Sequence, residues 1–226
     1  MLLQERLEKV RSQIHIAENN HGRLADSVLL LAVSKTRTAD ELISAYENHQ
    51  RHFGENYLQE ALNKQDLLKD YNIFWHFIGP IQSNKTRAIA NRFSWVHSVD
   101  RIKIARRLSE QRDTELPALN ICIQVNIDSQ PTKAGVSVDE LPELASAITD
   151  LPNLQLRGLM AIPATETTFE NQRMPFRMLK KAQQTLEGNG YKSDTLSMGM
   201  SGDLEAAIAE GSTIVRIGTA IFGPRN

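Results

Sequence analysis

The chain contains one cysteine, Cys122, in 226 residues. A single thiol forms no internal disulfide and offers no multi-cysteine metal site, so neither a disulfide framework nor a metal centre is expected. Long hydrophobic runs are missing as well. The longest unbroken apolar stretch, 28–33, has six residues, against the ~20 of a membrane-spanning helix. Glu5, Arg6, Glu8 and Lys9 interrupt any signal-peptide core in the first ten residues. Charge of one sign is lacking: 26 basic against 27 acidic side chains leave −1, with no global attraction to nucleic acid or anionic lipid. The expectation is a cytoplasmic protein with neither a membrane nor a nucleic-acid partner. Linkers rich in Pro, Gly or Ser, internal repeats and low-complexity tracts are also absent.

What is present reads as one folded domain over 1–226. Hydrophobic residues make up 41% and charged residues 23%, ordinary for a globular chain and unlike a disordered one. A chain of this length buries roughly 70% of its unfolded surface without a metal or disulfide staple. Apolar, β-branched runs bounded by turn residues predict strands at 28–33, 51–53, 73–78, 94–99, 119–127, 154–162, 195–198 and 213–217. Helical spacing predicts helices at 39–48, 55–69, 85–91, 101–112, 138–149, 169–187 and 203–209. Leu3, Leu7, Val10, Ile14 and Ala17 add an amphipathic helix over about 3–19, with a packed helix preferred to a partner-binding one.

Alternating strands and helices imply a parallel sheet with helices outside it. The units are evenly spread, 226/8 or about 28 residues each. Ser34-Lys35-Thr36 follows the first strand where a dinucleotide-binding fold would place a Gly-rich fingerprint. Both facts favour a (β/α)8 TIM barrel over about 27–226 against an open doubly wound sheet, although such barrels average ~250 residues.

Barrel chemistry sits where strands end on the C-terminal face, so the polar residues there are the candidates. Lys35 ends the first strand, Glu55 and Asn56 the second, and His76, Gln82, Ser83 and Asn84 lie at and beyond the third. A free lysine has a pKa of ~10.4, so only about one in 2,500 is neutral at pH 7. Burial at an apolar mouth raises that fraction and makes the amine a nucleophile toward a carbonyl. A solvated lysine in an ion pair is the alternative. Gly199-Met200-Ser201-Gly202 after the seventh strand and Gly218-Thr219 after the eighth occupy the place where many barrels hold a phosphate. Small residues there let N–H groups approach an anion at a helix start, and Ser201 and Thr219 add hydroxyls. A plain N-cap at Ser201 and a turn at Gly218 remain open, and Asp203 and Glu205 oppose an anion nearby. Arg216, between Val215 and Ile217, needs acceptors if it points into the barrel. An amine for a Schiff base, a phosphate cradle and an arginine for a pyridine nitrogen are together the parts of a pyridoxal-phosphate site. An ion pair with a carboxylate is the other reading of Arg216.

The stretch Leu196-Ser197-Met198-Gly199-Met200-Ser201-Gly202-Asp203, followed by Gly211-Ser212-Thr213-Ile214-Val215-Arg216-Ile217-Gly218-Thr219, closely resembles the pyridoxal phosphate homeostasis protein family. So do Ala32-Val33-Ser34-Lys35, Phe53-Gly54-Glu55-Asn56-Tyr57, His76-Phe77-Ile78-Gly79-Pro80-Ile81-Gln82-Ser83-Asn84-Lys85 and Gly158-Leu159-Met160-Ala161-Ile162. The blocks run in order along nearly the whole chain. The resemblance implies a barrel like the N-terminal domain of alanine racemase. It implies pyridoxal 5′-phosphate (PLP) held as a Schiff base on Lys35, phosphate contacts from Ser201, Gly218 and Thr219, and Asn56 and Arg216 near the ring. It implies a carrier or regulator in vitamin B6 balance, with no catalytic residue. PLP-dependent apo-enzymes or B6-metabolising enzymes are the exchange partners it brings into view. The sequence departs from many relatives at Gln130, where they carry a glutamate three residues before the lysine that here is Lys133. Lys133, like Lys85, offers a second amine, weighed against a solvated loop lysine.

A PLP-dependent amino-acid racemase is the competing function. Racemase relatives draw a tyrosine from a second, C-terminal domain. With the chain ending at Asn226 that domain is not expected, and a monomer is. Of the four tyrosines, only Tyr57 lies near a predicted strand end. A phosphosugar lyase using Lys35 would share the phosphate loops but have no need of Arg216. Arg101, Lys103, Arg106 and Arg107 cluster on one predicted helix, and a solvated basic face is preferred to nucleic-acid binding.

Overall fold

The computed structural model describes residues 2–224. Arg225 and Asn226, the end of the expected barrel range, lie outside the described residues, as does Met1. Eight parallel strands close into a barrel in sequence order. They are β1 (Leu29–Val33), β2 (His52–Glu55), β3 (Phe74–Phe77), β4 (Trp95–Val99), β5 (Leu119–Gln124), β6 (Leu154–Met160), β7 (Thr195–Ser197) and β8 (Ile214–Ile217). Closure is the β1–β8 pairing, with Leu29 opposite Ile214 and Ala32 opposite Ile217. The helices are α1 (Leu3–Asn20), α2 (Ala39–Glu47), α3 (Leu58–Leu67), α4 (Thr86–Arg92), α5 (Ile102–Gln111), α6 (Leu141–Thr149), α7 (Phe169–Gly188), α8 (Leu204–Ala209) and α9 (Thr219–Phe222). The expected (β/α)8 barrel with an extra N-terminal helix is therefore the observed fold. No described helix is long and apolar enough to cross a membrane.

The apolar stripe of α1 is used for packing. Leu7, Val10, Ile14 and Ala17 are buried, and the helix lies against α2, α8 and α9. Each large side chain so buried stabilises the fold by ~1.5–3 kcal/mol. Fully buried Glu18 ends that face and accepts from the Val28 and Asp26 N–H groups and the Ser27 hydroxyl. It thereby ties α1 to the segment that enters β1.

Three boundaries differ from the sequence expectation by three residues, the others by fewer. Glu55 belongs to β2, opposite Phe77 of β3, and not to the helix expected at 55–69, which starts at Leu58. The Glu55 carboxylate is held inside the protein by Ser34 and Lys64, and that long-range pairing overrides its helix propensity. The helix expected from 138 starts at Leu141, because Glu140 accepts from the backbone and hydroxyl of Ser137 and closes a turn first. The strand expected to reach 127 ends at Gln124, beyond which Val125 makes an isolated bridge to Val136.

Candidate functional site

At the C-terminal mouth of the barrel a cavity of about 300 Å³ is lined by Lys35, Asn56, Ser201, Arg216, Gly218 and Thr219. All six side chains or glycines singled out in the sequence thus come together in one place. Val33, Arg37, Ile78, Ile162, Met200 and Gly202 complete the wall.

Lys35 follows β1 in a tight turn. The next residue, Thr36, is left-handed, with φ of 63°, a costly conformation for a β-branched side chain. Neighbours brace it. The Thr36 N–H donates to Glu60 Oε1 at 2.5 Å. Lys64 Nζ donates to the Ser34 carbonyl at 2.6 Å, to Glu55 Oε1 at 2.8 Å and to Glu60 Oε1. The Ser34 hydroxyl also donates to Glu55 Oε1, at 2.6 Å. Burial pushes the Glu55 carboxyl above its usual range, while Lys64 and Ser34 pull it back down. The turn that presents Lys35 is therefore clamped from α3, on both sides of the lysine.

Asn56 follows β2 and sits close against the next strand end. A Cβ on Gly79 would lie 2.1 Å from the Asn56 carbonyl oxygen, so only glycine permits this approach. Asn56 Oδ1 is buried without a partner among the described residues, which leaves its amide available to a ligand.

The two loops expected to hold an anion are N–H rich. Among the described residues, no oxygen accepts from the backbone N–H groups of Ser201, Gly202, Gly218 or Thr219. Gly199, with φ of 97°, lets the first loop turn tightly against Ala207. Asp203, which counted against an anion, is occupied by the loop itself: Oδ1 accepts from the Met200 N–H at 2.6 Å, and burial raises its carboxyl. The helices that follow have only six and four residues. Their dipoles are correspondingly small, so what these loops present to the cavity is N–H groups and hydroxyls.

Arg216 points into the barrel. Nη1 donates to the Ser197 carbonyl at 2.5 Å and to Ser197 Oγ at 2.9 Å, and Nη2 donates to the Ala161 carbonyl at 2.9 Å. Carbonyls and a hydroxyl are the partners, and among the described residues the carboxylate ion pair weighed in the sequence is not formed. Three of the five guanidinium donors are held in this way, leaving others for the cavity. Burial lowers its pKa to about 10, with Asp203 and Cys122 opposing, so it stays a cation and a donor at neutral pH.

Beneath Arg216 runs a file of imidazoles. His97 Nδ1 lies 2.8 Å from Ser197 Oγ, His97 Nε2 lies 2.9 Å from His76 Nδ1, and His76 Nε2 lies 3.0 Å from His52 Nδ1. Burial disfavours the charged form of all three rings. It lowers His52, lowers His76 well below its usual value with help from His97 and His52, and lowers His97 to about 3, aided by Arg216.

Other candidates lie elsewhere. Lys133 Nζ donates to Asp128 Oδ2 at 2.7 Å and does not line the cavity. Lys85 precedes α4, also outside it. Tyr57 is exposed at the start of α3. On the basic helix, Ile104, Ala105 and Leu108 are buried, while Lys103 and Arg106 face solvent. Among the described residues, no group of three or more His, Cys, Asp or Glu side chains is placed to hold a metal ion. Sequence reasoning missed the clamp residues Glu60 and Lys64 and the histidines His52 and His97. The histidines carry a signal: His52, His76 and His97 recur at spacings of 24 and 21 residues, one per barrel unit.

A closed parallel barrel thus presents a strand-end lysine, two N–H-rich loops and an inward arginine at one mouth. The family model for the N-terminal domain of alanine racemase accordingly matches residues 7–226. The chain is 54% identical to the pyridoxal phosphate homeostasis protein of Pseudomonas aeruginosa, over 98% of this chain and 95% of that one. It is 51% identical to the protein of the same name from Vibrio alginolyticus, over 99% and 98%. It superposes on PipY of Synechococcus elongatus PCC7942, whose structure has PLP bound, with a TM-score of 0.87 and 36% identity over 98% of this chain and 100% of that one. The chain belongs to the pyridoxal phosphate homeostasis protein family.

Proposed function

We propose that this protein binds PLP at the barrel mouth and takes part in intracellular PLP homeostasis, holding the cofactor without turning over a substrate. The observation that carries this reading is the convergence of Lys35, Asn56, Ser201, Arg216, Gly218 and Thr219 on one cavity of about 300 Å³. The donor set fits the group. Four N–H groups without acceptors and two hydroxyls suit a phosphate. The unpartnered Asn56 amide and the remaining Arg216 donors suit a polar aromatic ring.

Lys35 Nζ is the amine assigned to the covalent link, which would be a Schiff base to the aldehyde carbon with water as the leaving group. Bound PLP supplies an aldehyde for amines and, in enzymes, an electron sink. Arg216 works against the second use. A guanidinium donates and cannot accept, so a ring nitrogen facing it stays unprotonated and the ring withdraws electrons poorly. We assign the protein to the cytoplasm, as a monomer. Its exchange partners would be PLP-dependent apo-enzymes or B6-metabolising enzymes. Titration with PLP followed by visible absorption tests the reading. The parent protein should develop an imine band, and Lys35→Ala should bind weakly through the phosphate contacts without that band. Absence of any binding by the parent protein would overturn it.

A further inference from the structure

The hydrogen bonds beneath Arg216 have a direction. Ser197 Oγ has two partners among the described residues, Arg216 Nη1 and His97 Nδ1. The guanidinium only donates, so the hydroxyl hydrogen must go to His97 Nδ1. A neutral His97 then carries its hydrogen on Nε2 and donates to His76 Nδ1. His76 in turn donates from Nε2 to His52 Nδ1. His52 begins β2, so the file runs from the mouth to the opposite end of the barrel. There His52 is half-buried and borders a second cavity with Arg11, His15, Glu18, Asp26, His49 and Arg51.

We propose that Ser197, His97, His76 and His52 are positioning residues that hold the Arg216 guanidinium through a one-way hydrogen-bond chain, so that protonation of His52 at the far end weakens ligand binding at the mouth. The inference rests on Arg216 facing bound PLP as proposed above. A second proton on His52 must sit on Nδ1, where His76 already donates. The conflict breaks that bond or reverses the order up to Ser197. Reversal makes His97 Nδ1 a donor and leaves the Ser197 hydroxyl hydrogen without an acceptor, loosening the Arg216 contact. Phe74 stacks on His52 and Trp95 on His76, which keeps the rings in file. Of the three, His52 is the one that reaches the second cavity and its charged walls.

Two measurements decide it. Nitrogen-15 NMR of the ligand-free protein at neutral pH should find His97 and His76 protonated on Nε2 and bare on Nδ1. A hydrogen on His97 Nδ1 would overturn the chain whether or not PLP binds. Affinity for PLP is then compared between the parent protein and His52→Asn. The asparagine Oδ1 keeps an acceptor at the Nδ1 position but does not titrate. On acidification the parent should lose about threefold to tenfold more of its own neutral-pH affinity than the variant loses of its own, one neutral hydrogen bond's worth. Titration of the phosphate and of the lysine is common to both proteins and cancels. Parallel pH curves would contradict the coupling, while failure of the parent to bind PLP would refute the proposed function and leave the NMR result standing.

Discussion

Replacing Lys64 by Met should both destabilise the protein and loosen the turn that carries Lys35. Lys64 Nζ donates to the Ser34 carbonyl, to Glu55 and to Glu60. Glu55 is fully buried, and its Oε2 already lacks a partner. Methionine fills the space but leaves the Glu55 charge uncompensated, a change that typically costs ~3–5 kcal/mol. That is a large part of the ~5–15 kcal/mol by which domains are stable. At ~2–4 °C per kcal/mol for a chain of this size, the melting temperature should fall by about 6–20 °C. Glu55 is already raised by burial, and losing Lys64 raises it further above its unfolded value. A group raised on folding gives its stability at low pH and loses it as pH rises through the folded pKa. The deficit should therefore be largest at high pH and shrink on acidification as Glu55 takes up a proton. Adding Glu55→Gln removes the stranded charge and should recover part of the loss, a non-additive pair. Thermal melts across pH read all three effects. A variant melting within about 2 °C of the parent, or a deficit that grows on acidification, would refute the reasoning.

Ser201→Ala and Thr219→Ala should each weaken PLP binding by about tenfold to a hundredfold, one hydrogen bond to a charged acceptor, and equilibrium titration measures it; unchanged affinity in both would move the phosphate elsewhere. Gly79→Ala places a methyl 2.1 Å from the Asn56 carbonyl and should cost at least ~1–3 kcal/mol. Gly188→Ala, in open space at the end of α7, should instead be neutral or stabilising by up to ~1 kcal/mol in the same denaturation assay. Chiral analysis of alanine incubated with the PLP-loaded protein should show negligible racemisation, and a kcat near the ~10 s⁻¹ of ordinary enzymes would contradict the carrier reading.

The barrel and its mouth were legible because their signals are local. Lys35 stands directly after an apolar run, and the loops at 199–202 and 218–219 follow two others, so strand ends alone select them. Glu55 was misplaced because glutamate favours helices and is depleted in strands. Its reason for lying in β2 is an amine nine residues further on, which spacing does not reveal. The histidine file was hidden differently. Each histidine alone reads as a satisfied core residue, and the stepping of His52, His76 and His97, two residues further along each successive strand, appears only once β2, β3 and β4 are set in register. Arg216 could be read as needing acceptors, but these come from Ser197 on neighbouring β7 and from Ala161 just beyond β6.

The most direct test of the central claim is to load the protein with PLP, reduce it with borohydride and map the modified peptide by mass spectrometry. Reduction fixes whichever amine carries the cofactor. The account predicts the adduct on Lys35, in the peptide that follows β1. An adduct found only on Lys85 or on the ion-paired Lys133 would contradict it.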